Sequence, residues 1–225
     1  MLLLAGNVMF YLGVFNQLDE GVRLGLYTAL YIIVSLIMLM GRRVIPFFIE
    51  KGVGYPVSLV NHRWLDLSSL VLMLLFIIVE VFIVSPMYAA ITAAALAILH
   101  AWRLAGWYTH GIWKKPLLWS LYLGYAWLVA GFALKALSYW STVNPMLAVH
   151  AFAYAGVGML TLGMMARVAL GHTGRDVFKP PRILWVLFLL LLAGAVTRIV
   201  MPLLTSGSYA MWIMLSQLLW MAAFA

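Results

Sequence analysis

The chain has no cysteine, few acidic residues and few charged residues of any kind. Its 225 residues include 6 Asp or Glu and 14 Lys or Arg, so 9% of the sequence is charged. The absence of cysteine excludes disulfides, thiolate catalysis and cysteine-ligated metals. A soluble domain carries roughly 25% charged residues, so this chain has too few to cover a surface that faces water.

The signatures of several functional classes are also missing. The sequence contains no nucleotide-binding glycine loop, no pair of catalytic carboxylates and no Ser/His/Asp arrangement. No basic segment precedes the first apolar run, so we expect no cleavable signal peptide. The net charge of +8 does not indicate a nucleic-acid partner, because the basic residues lie in short loops between apolar runs.

Long apolar runs dominate what is present. Hydrophobic residues make up 66% of the chain, and the mean hydropathy is +1.06. No segment alternates with period two, so the pattern favours helices over strands. Crossing a bilayer takes about 20 helical residues. The sequence therefore predicts an all-α, polytopic transmembrane helix bundle of about eight spans, at residues 2–18, 22–41, 65–84, 86–105, 117–138, 145–166, 182–203 and 207–225.

The basic residues alternate between the connections. Of the 14 Lys and Arg, 11 lie in the connections after the second, fourth and sixth spans: Arg42, Arg43, Lys51, Arg63, Arg103, Lys114, Lys115, Arg167, Arg175, Lys179 and Arg182. Positively charged loops stay in the cytoplasm, so this pattern predicts that these loops and both ends of the segment are cytoplasmic. We expect residues 1–225 to form a single transmembrane domain, which is a fragment of a longer polytopic protein.

Ionisable residues inside apolar spans are costly and therefore informative. From the helical rise, we expect an outer layer and an inner layer of such residues. The outer layer contains Glu80, Lys135, His150 and Arg198, and the inner layer contains His62, His100, His110 and His172. Alternatives stay open for Glu80, Lys135 and Arg198. They neutralise one another near the outer interface, or Lys135 and Arg198 snorkel, or the three form a proton path.

His100 and His150 are candidate metal ligands at different depths. Axial ligands of one haem iron must lie at nearly the same depth on facing helices, so we expect that these two do not share an iron. Ala93 and Ala97 leave space beside His100, and Gly156 lies near His150. The alternative for His100 is helix packing with an interfacial imidazole hydrogen-bonded to a headgroup or a carbonyl. The alternative for His150 is an imidazole bonded to a neighbouring helix.

The segment 170–175, with the sequence LGHTGR, is polar and glycine-rich directly after an apolar span. Two glycines bracket His172 and Thr173, which indicates a tight turn with exposed backbone N–H groups. With Arg175 beside it, this turn is a candidate anion or propionate site, and His172 a candidate metal ligand or supporting group. The alternative is a basic cytoplasmic turn that only fixes the topology.

Several segments together resemble one family. They are His150-Ala151-Phe152, Gly156, Gly158, residues 159–162 (MLTL), Arg167, residues 170–175 (LGHTGR), residues 41–48 (GRRVIPFF), Leu65-Asp66, residues 123–128 (LGYAWL), Asn7, Phe10, Trp220, Ala222 and Phe224. This set resembles the NnrS family, which are membrane proteins associated with haem, copper and the bacterial response to nitric oxide.

The resemblance implies a bacterial inner-membrane protein about twice as long, with this chain as its later part. The missing N-terminal part would be a partner within the same protein and would carry further histidines. The resemblance leaves His100, His150 and His172 as metal ligands, and it adds Arg167 to Arg175 as an anion or propionate contact. It also implies histidine where this chain has Tyr11 and Tyr122.

The function implied is a haem-containing membrane protein of the nitric oxide (nitrosative stress) response, with copper as a second expected metal. Nitric oxide is small and lipid-soluble, so it reaches a metal among helices without a polar pocket. Whether it is turned over or only bound stays open. The alternatives are a transporter or permease without a redox centre, for which Pro46 and the glycines after His150 are the hints, and a quinol-linked electron carrier.

Overall fold

The computed structural model describes residues 1–205 and 207–225, and every regular element in these residues is helical, with no strand. This confirms the all-α prediction. One short 3₁₀ segment, His110–Lys114, lies between the fourth and fifth helices. The described residues form eight long helices, namely α1 (Leu2–Val14), α2 (Gly21–Gly52), α3 (Arg63–Ile83), α4 (Pro86–Gly106), α5 (Pro116–Trp140), α6 (Met146–His172), α7 (Ile183–Leu204) and α8 (Tyr209–Phe224).

Six of these helices, α2 to α7, are long and apolar enough to cross a membrane. The first and last helices are shorter, with 13 and 16 residues. The sequence pattern predicted residues 2–18 as one span, but α1 ends at Val14, and Asn16 and Glu20 then adopt positive φ angles that turn the chain back. The helix count agrees with the prediction of about eight, and the long helices define a multi-pass membrane protein.

Helix α2 continues about ten residues beyond the predicted end of its span. It runs through Pro46, so Arg42 and Lys51 lie on a helix rather than in a loop. Proline has no N–H to donate to the carbonyl four residues earlier. That carbonyl belongs to Arg42, and it accepts a hydrogen bond from Asn61 Nδ2 at 3.4 Å instead. A side chain thus takes the place of the missing donor.

Helices α5 and α6 form the centre of the bundle and are the most buried of the long helices. Helix α1 packs on α2, and α8 packs on α7. The contact between α1 and α2 depends on glycine, since a Cβ atom at Gly25 would lie 2.6 Å from the backbone oxygen of Gly6. On the outside, large apolar side chains such as Leu74 and Leu189 are exposed, as expected for a surface that faces lipid.

A column of aromatic rings runs through the core. Tyr31 lies 4.9 Å from Phe76, Phe76 lies 5.5 Å from Phe132, and Phe132 lies 6.2 Å from His100, all measured between ring centroids. His100 in turn lies 5.8 Å from Tyr125. These contacts are typical edge-to-face and stacked pairs, which contribute beyond their buried area. The column joins α2, α3, α4 and α5 in the buried core.

Three of the described helices contain a π-helical segment: Ile78–Ile83 in α3, Ala151–Val157 in α6 and Val196–Val200 in α7. Such segments are rare and occur frequently at functional sites, because the extra residue in the turn re-aims the neighbouring side chains. Glu80 and Arg198 lie within two of them, and His150 immediately precedes the third. Three of the four residues of the predicted outer layer therefore lie in or next to a distorted turn.

Candidate functional site

Part of the outer layer forms an ion pair. Lys135 Nζ lies 2.5 Å from Glu80 Oε1, and both side chains are largely buried. Arg23 donates a hydrogen bond from Nη2 to the carbonyl of Val81, at 3.2 Å, and lines the same crevice as the pair. Opposite charges in contact offset the cost of bringing either one into the bundle. Of the two sequence interpretations for this pair, mutual neutralisation matches this geometry.

Arg198 lies elsewhere, in a second group around His150. We call the space between α6, α7 and α8 the outer pocket; it has a volume of about 440 Å³ and opens toward the outside of the bundle. Its lining residues are His150, Ala153, Tyr154, Arg198, Gln217, Trp220 and Met221. No carboxylate is among these residues, so the fixed charge on the wall is positive.

Hydrogen bonds hold the walls of the outer pocket in place. Tyr154 donates its hydroxyl to the carbonyl of Ser216 at 2.6 Å, which ties α6 to α8. Arg198 donates from Nη1 to the hydroxyl of Ser216 at 3.2 Å, and its guanidinium carbon lies 5.7 Å from the centre of the Tyr154 ring. His150 is half-buried, and its Nε2 lies 3.4 Å from the hydroxyl of Tyr209. That distance is long for a hydrogen bond, so the imidazole remains free to take another partner.

The residues of the outer pocket fit a haem. The volume lies within the range of about 300–1,000 Å³ of cofactor pockets. His150 offers an imidazole and Met221 a thioether, which are both common axial ligands of haem iron. Ala153 leaves space on the face of the helix that carries His150, and Trp220 adds an aromatic wall. Arg198 supplies the charge that a propionate requires.

A different group surrounds His100, near the end of the bundle that carries the predicted cytoplasmic loops. Each carboxylate oxygen of Asp66 forms an ion pair with a different arginine. Arg42 Nη1 lies 2.5 Å from Oδ2, and Arg103 Nη2 lies 3.0 Å from Oδ1. Arg103 also donates to the hydroxyl of Ser69 at 3.2 Å and is only 3% exposed. The carboxylate therefore joins α2, α3 and α4. The sequence pattern had placed Arg42 and Arg103 in cytoplasmic loops, but both lie within helices.

His100 is 1% exposed and lines a small cavity beside this group. We call it the inner cavity; its volume is about 20 Å³, and Arg42, Asp66, Ser69 and Arg103 also line it. His100 Nδ1 is hydrogen-bonded to the hydroxyl of Tyr125 at 2.6 Å. The other ring nitrogen, Nε2, is buried and has no partner among the described residues.

The inner cavity suits neither haem nor copper. It has space for about one water molecule, so a porphyrin does not fit beside His100 in this arrangement. Met38 and Met73 line the cavity, and methionine with histidine is a donor set that suits Cu(I). However, two arginines face a single carboxylate there, and the excess positive charge disfavours a cation. Nowhere in the described chain do three His, Asp or Glu side chains come close enough to hold a metal ion.

The turn after α6 ends a helix and is exposed. His172 is the last residue of α6, and the N–H of Arg175 donates to the carbonyl of Leu170 at 2.9 Å. Gly174 has a φ of 68°, the left-handed conformation that commonly ends a helix. His172 and Arg175 are both exposed, whereas His100 is buried. The predicted roles of His172 and Arg175 therefore stay predictions, and a helix cap explains Gly174.

Arg167 lies in a basic pocket on the same side of the bundle. Its guanidinium carbon lies 4.0 Å from the centre of the Phe48 ring, and Lys51 and Lys115 line the same space of about 290 Å³. This environment agrees with the predicted anion contact, without testing it. Tyr11 is 52% exposed on α1, and Tyr122 donates its hydroxyl to the carbonyl of Leu104. Neither tyrosine lines the outer pocket or the inner cavity.

Sequence reasoning missed the cluster of Asp66, Arg103 and Tyr125. A signal was present in the sequence. The six long apolar helices contain three acidic residues, Glu50 near the end of α2, Asp66 and Glu80. An acid in such a helix needs a cationic partner. The sequence does not say which arginine supplies it, since the partners lie 24 and 37 positions away along the chain.

The long apolar helices and their buried ion pairs define a multi-pass helical membrane protein. Within that class, the chain belongs to the NnrS family, because the family model described as "NnrS protein" matches residues 1–225, the whole chain. This confirms the resemblance found in the sequence. No curated protein and no solved structure matches the chain.

Proposed function

We propose that this protein is a haem-containing protein of the bacterial inner membrane that acts in the response to nitric oxide, and that the outer pocket is its haem site. The observation that carries the proposal is the convergence of His150, Arg198 and Met221 on one pocket of about 440 Å³. Membership of the NnrS family supports the link to nitric oxide.

In this proposal each residue has a separate task. His150 would hold the iron through its imidazole, in place of its long contact to the hydroxyl of Tyr209. Arg198, already oriented by Ser216, binds a propionate. Tyr154 and Trp220, whose ring centroids lie 4.8 Å apart, would form the aromatic wall of the site. A bound haem supplies a metal that recognises a diatomic molecule, and nitric oxide reaches the pocket from the lipid.

An optical spectrum of the protein, purified from cells supplied with haem precursor, tests the haem site. We expect a Soret band in the wild type that shifts when nitric oxide is added. His150→Ala removes the axial ligand and should lose most of the haem, while Arg198→Gln should weaken haem retention by roughly tenfold. His62→Ala is the matched control, because His62 is exposed and lies outside the pocket.

Two results would contradict the haem proposal. One is a wild-type protein without a Soret band, which would favour the permease interpretation. The other is a His150→Ala spectrum equal to that of the wild type. In a strain that lacks the protein, wild-type expression should restore growth under nitric oxide and His150→Ala should not.

Orientation is testable because the chain has no native cysteine. We propose that the end of the bundle with Lys114 faces the cytoplasm and the outer pocket faces the periplasm, in accordance with the distribution of basic residues. Single cysteines at two exposed positions, Lys114→Cys and Thr142→Cys, report the two sides. An impermeant thiol reagent added to intact spheroplasts should label only the second. Labelling of the first variant instead would reverse the orientation.

A further inference from the structure

We propose that the inner cavity is a binding site for one small monovalent inorganic anion of about the size of chloride. The site is separate from the outer pocket and does not depend on haem. Six polar residues from α2, α3 and α4 line the cavity: Ser35, Arg42, Asp66, Ser69, His100 and Arg103.

The charge of the cavity wall is the first argument. Arg42 and Arg103 share the one carboxylate of Asp66, so the wall carries one positive charge more than it carries negative charge. An unbalanced charge inside a helix bundle is costly, and a partner of opposite sign removes the cost. A monovalent anion would make the group neutral.

The unpaired nitrogens are the second argument. Arg42 Nε, Arg103 Nε and His100 Nε2 are all buried without a hydrogen-bond partner among the described residues. Native proteins rarely leave buried donors unpaired. The three nitrogens belong to residues that line one cavity, so a single acceptor in the cavity would pair them. A water molecule has two lone pairs, whereas a spherical anion accepts hydrogen bonds from every direction. When Tyr125 donates to His100 Nδ1, Nε2 carries the proton and serves as a donor to the anion.

The size of the cavity selects the ligand. A volume of about 20 Å³ holds one water-sized particle. Chloride and bromide fit with a small expansion of the wall, and sulfate is too large. Asp66 and Arg42 retain partial exposure, with side chains 20% and 18% accessible, so an anion has a path to the site from that end of the bundle.

Thermal unfolding of the protein in nanodiscs tests the proposal. At constant ionic strength, chloride replaces gluconate, which is too large for the cavity. The wild-type midpoint should rise saturably, by about 3 °C at a tenfold excess over Kd. Replacing chloride with nitrite shows whether the cavity binds a halide or a small oxyanion. A saturable rise of the midpoint with either anion supports the site. An equal response to sulfate would reduce the effect to charge screening and overturn it.

Two variants form the matched comparison. Arg103→Gln removes the excess positive charge of the cavity wall and should weaken anion binding by at least roughly tenfold. Arg43→Gln removes an exposed charge one residue from Arg42, outside the cavity, and should bind as the wild type does. An unchanged chloride response in Arg103→Gln would contradict the proposal.

A second test uses the wild-type protein and does not depend on the folding of Arg103→Gln. Crystals soaked in bromide should show an anomalous peak between His100 and Arg103. A bromide soak at saturating concentration that leaves this cavity without a peak would overturn the proposal.

Discussion

The outer pocket and the inner cavity each contain a histidine and at least one arginine, yet they differ in space and in pairing. His150 is half-buried beside about 440 Å³ and makes one long contact, whereas His100 is fully buried beside about 20 Å³ and is bonded to Tyr125 at 2.6 Å. Arg198 has no carboxylate partner in its pocket, but Arg103 is held by Asp66. A cofactor needs space and loosely held ligands, so the outer pocket suits a cofactor and the inner cavity suits a single ion.

The two sites also differ in the backbone that builds them. Two of the three helices that line the outer pocket are interrupted by π-helical segments, at Ala151–Val157 in α6 and at Val196–Val200 in α7. The inner cavity is lined from regular α-helical turns of α2, α3 and α4. Widened helical turns therefore lie on two of the three helices that line the larger site, and on none of the turns that line the smaller one.

The largest effect is expected from breaking the pairing of the inner cavity. Asp66→Ala leaves Arg103 buried without a counter-charge, and we expect a loss of about 3 kcal/mol in the free energy of unfolding. Asp19→Ala is the control, because Asp19 is exposed in the turn after α1. Unfolding in detergent, followed by circular dichroism, measures both. If the two variants were equally stable, the ion pairs of Asp66 would have no structural role.

A smaller effect separates the two histidines. His100→Ala removes the partner of the buried Tyr125 hydroxyl and opens a void, so we expect a loss of about 2 kcal/mol in stability. Haem content should stay unchanged in this variant, in contrast to His150→Ala, which should lose haem together with the stability that bound haem contributes. Pairing the absorbance spectrum with the unfolding midpoint gives both readings from one preparation. Loss of the Soret band in His100→Ala would instead support the prediction from the sequence that His100 is a metal ligand.

The smallest effect concerns the turn after α6, which lies outside both sites. Gly174→Ala puts a side chain on a left-handed residue and should cost about 1 kcal/mol. Gly171→Ala is the control, because it lies in the helix with no atom within 4 Å of the added Cβ, and it should be neutral or slightly stabilising.

The same turn carries the sequence-based site prediction. If the turn only caps a helix, His172→Ala should leave the metal content and the spectrum unchanged. A lower metal content in His172→Ala, together with altered anion contact in Arg175→Lys, would support the predicted functional role, because lysine keeps the charge but loses the bidentate geometry.

Much of the fold was predictable from composition. The scarcity of charge and the length of the apolar runs predict membrane helices, because a bilayer tolerates only segments whose backbone hydrogen bonds are satisfied internally. The prediction missed the extension of α2 through Pro46, since proline usually ends a helix and the compensating contact comes from Asn61 in the following loop. It also counted Arg103, at the end of a predicted span, among the basic residues of a cytoplasmic connection, whereas Arg103 is buried in α4.

The sequence by itself determined that Glu80, Lys135, His100, His150 and Arg198 need partners, because each is a polar group inside an apolar helix. Only the tertiary structure decided which partners they have. It pairs Glu80 with Lys135 and His100 with Tyr125, and it brings Arg198 to the pocket of His150. The physical reason is that the depth of a residue follows from its position along one helix, whereas its contacts depend on how each helix is rotated and which helices adjoin it. Both of these are set by packing between segments that lie far apart in the chain.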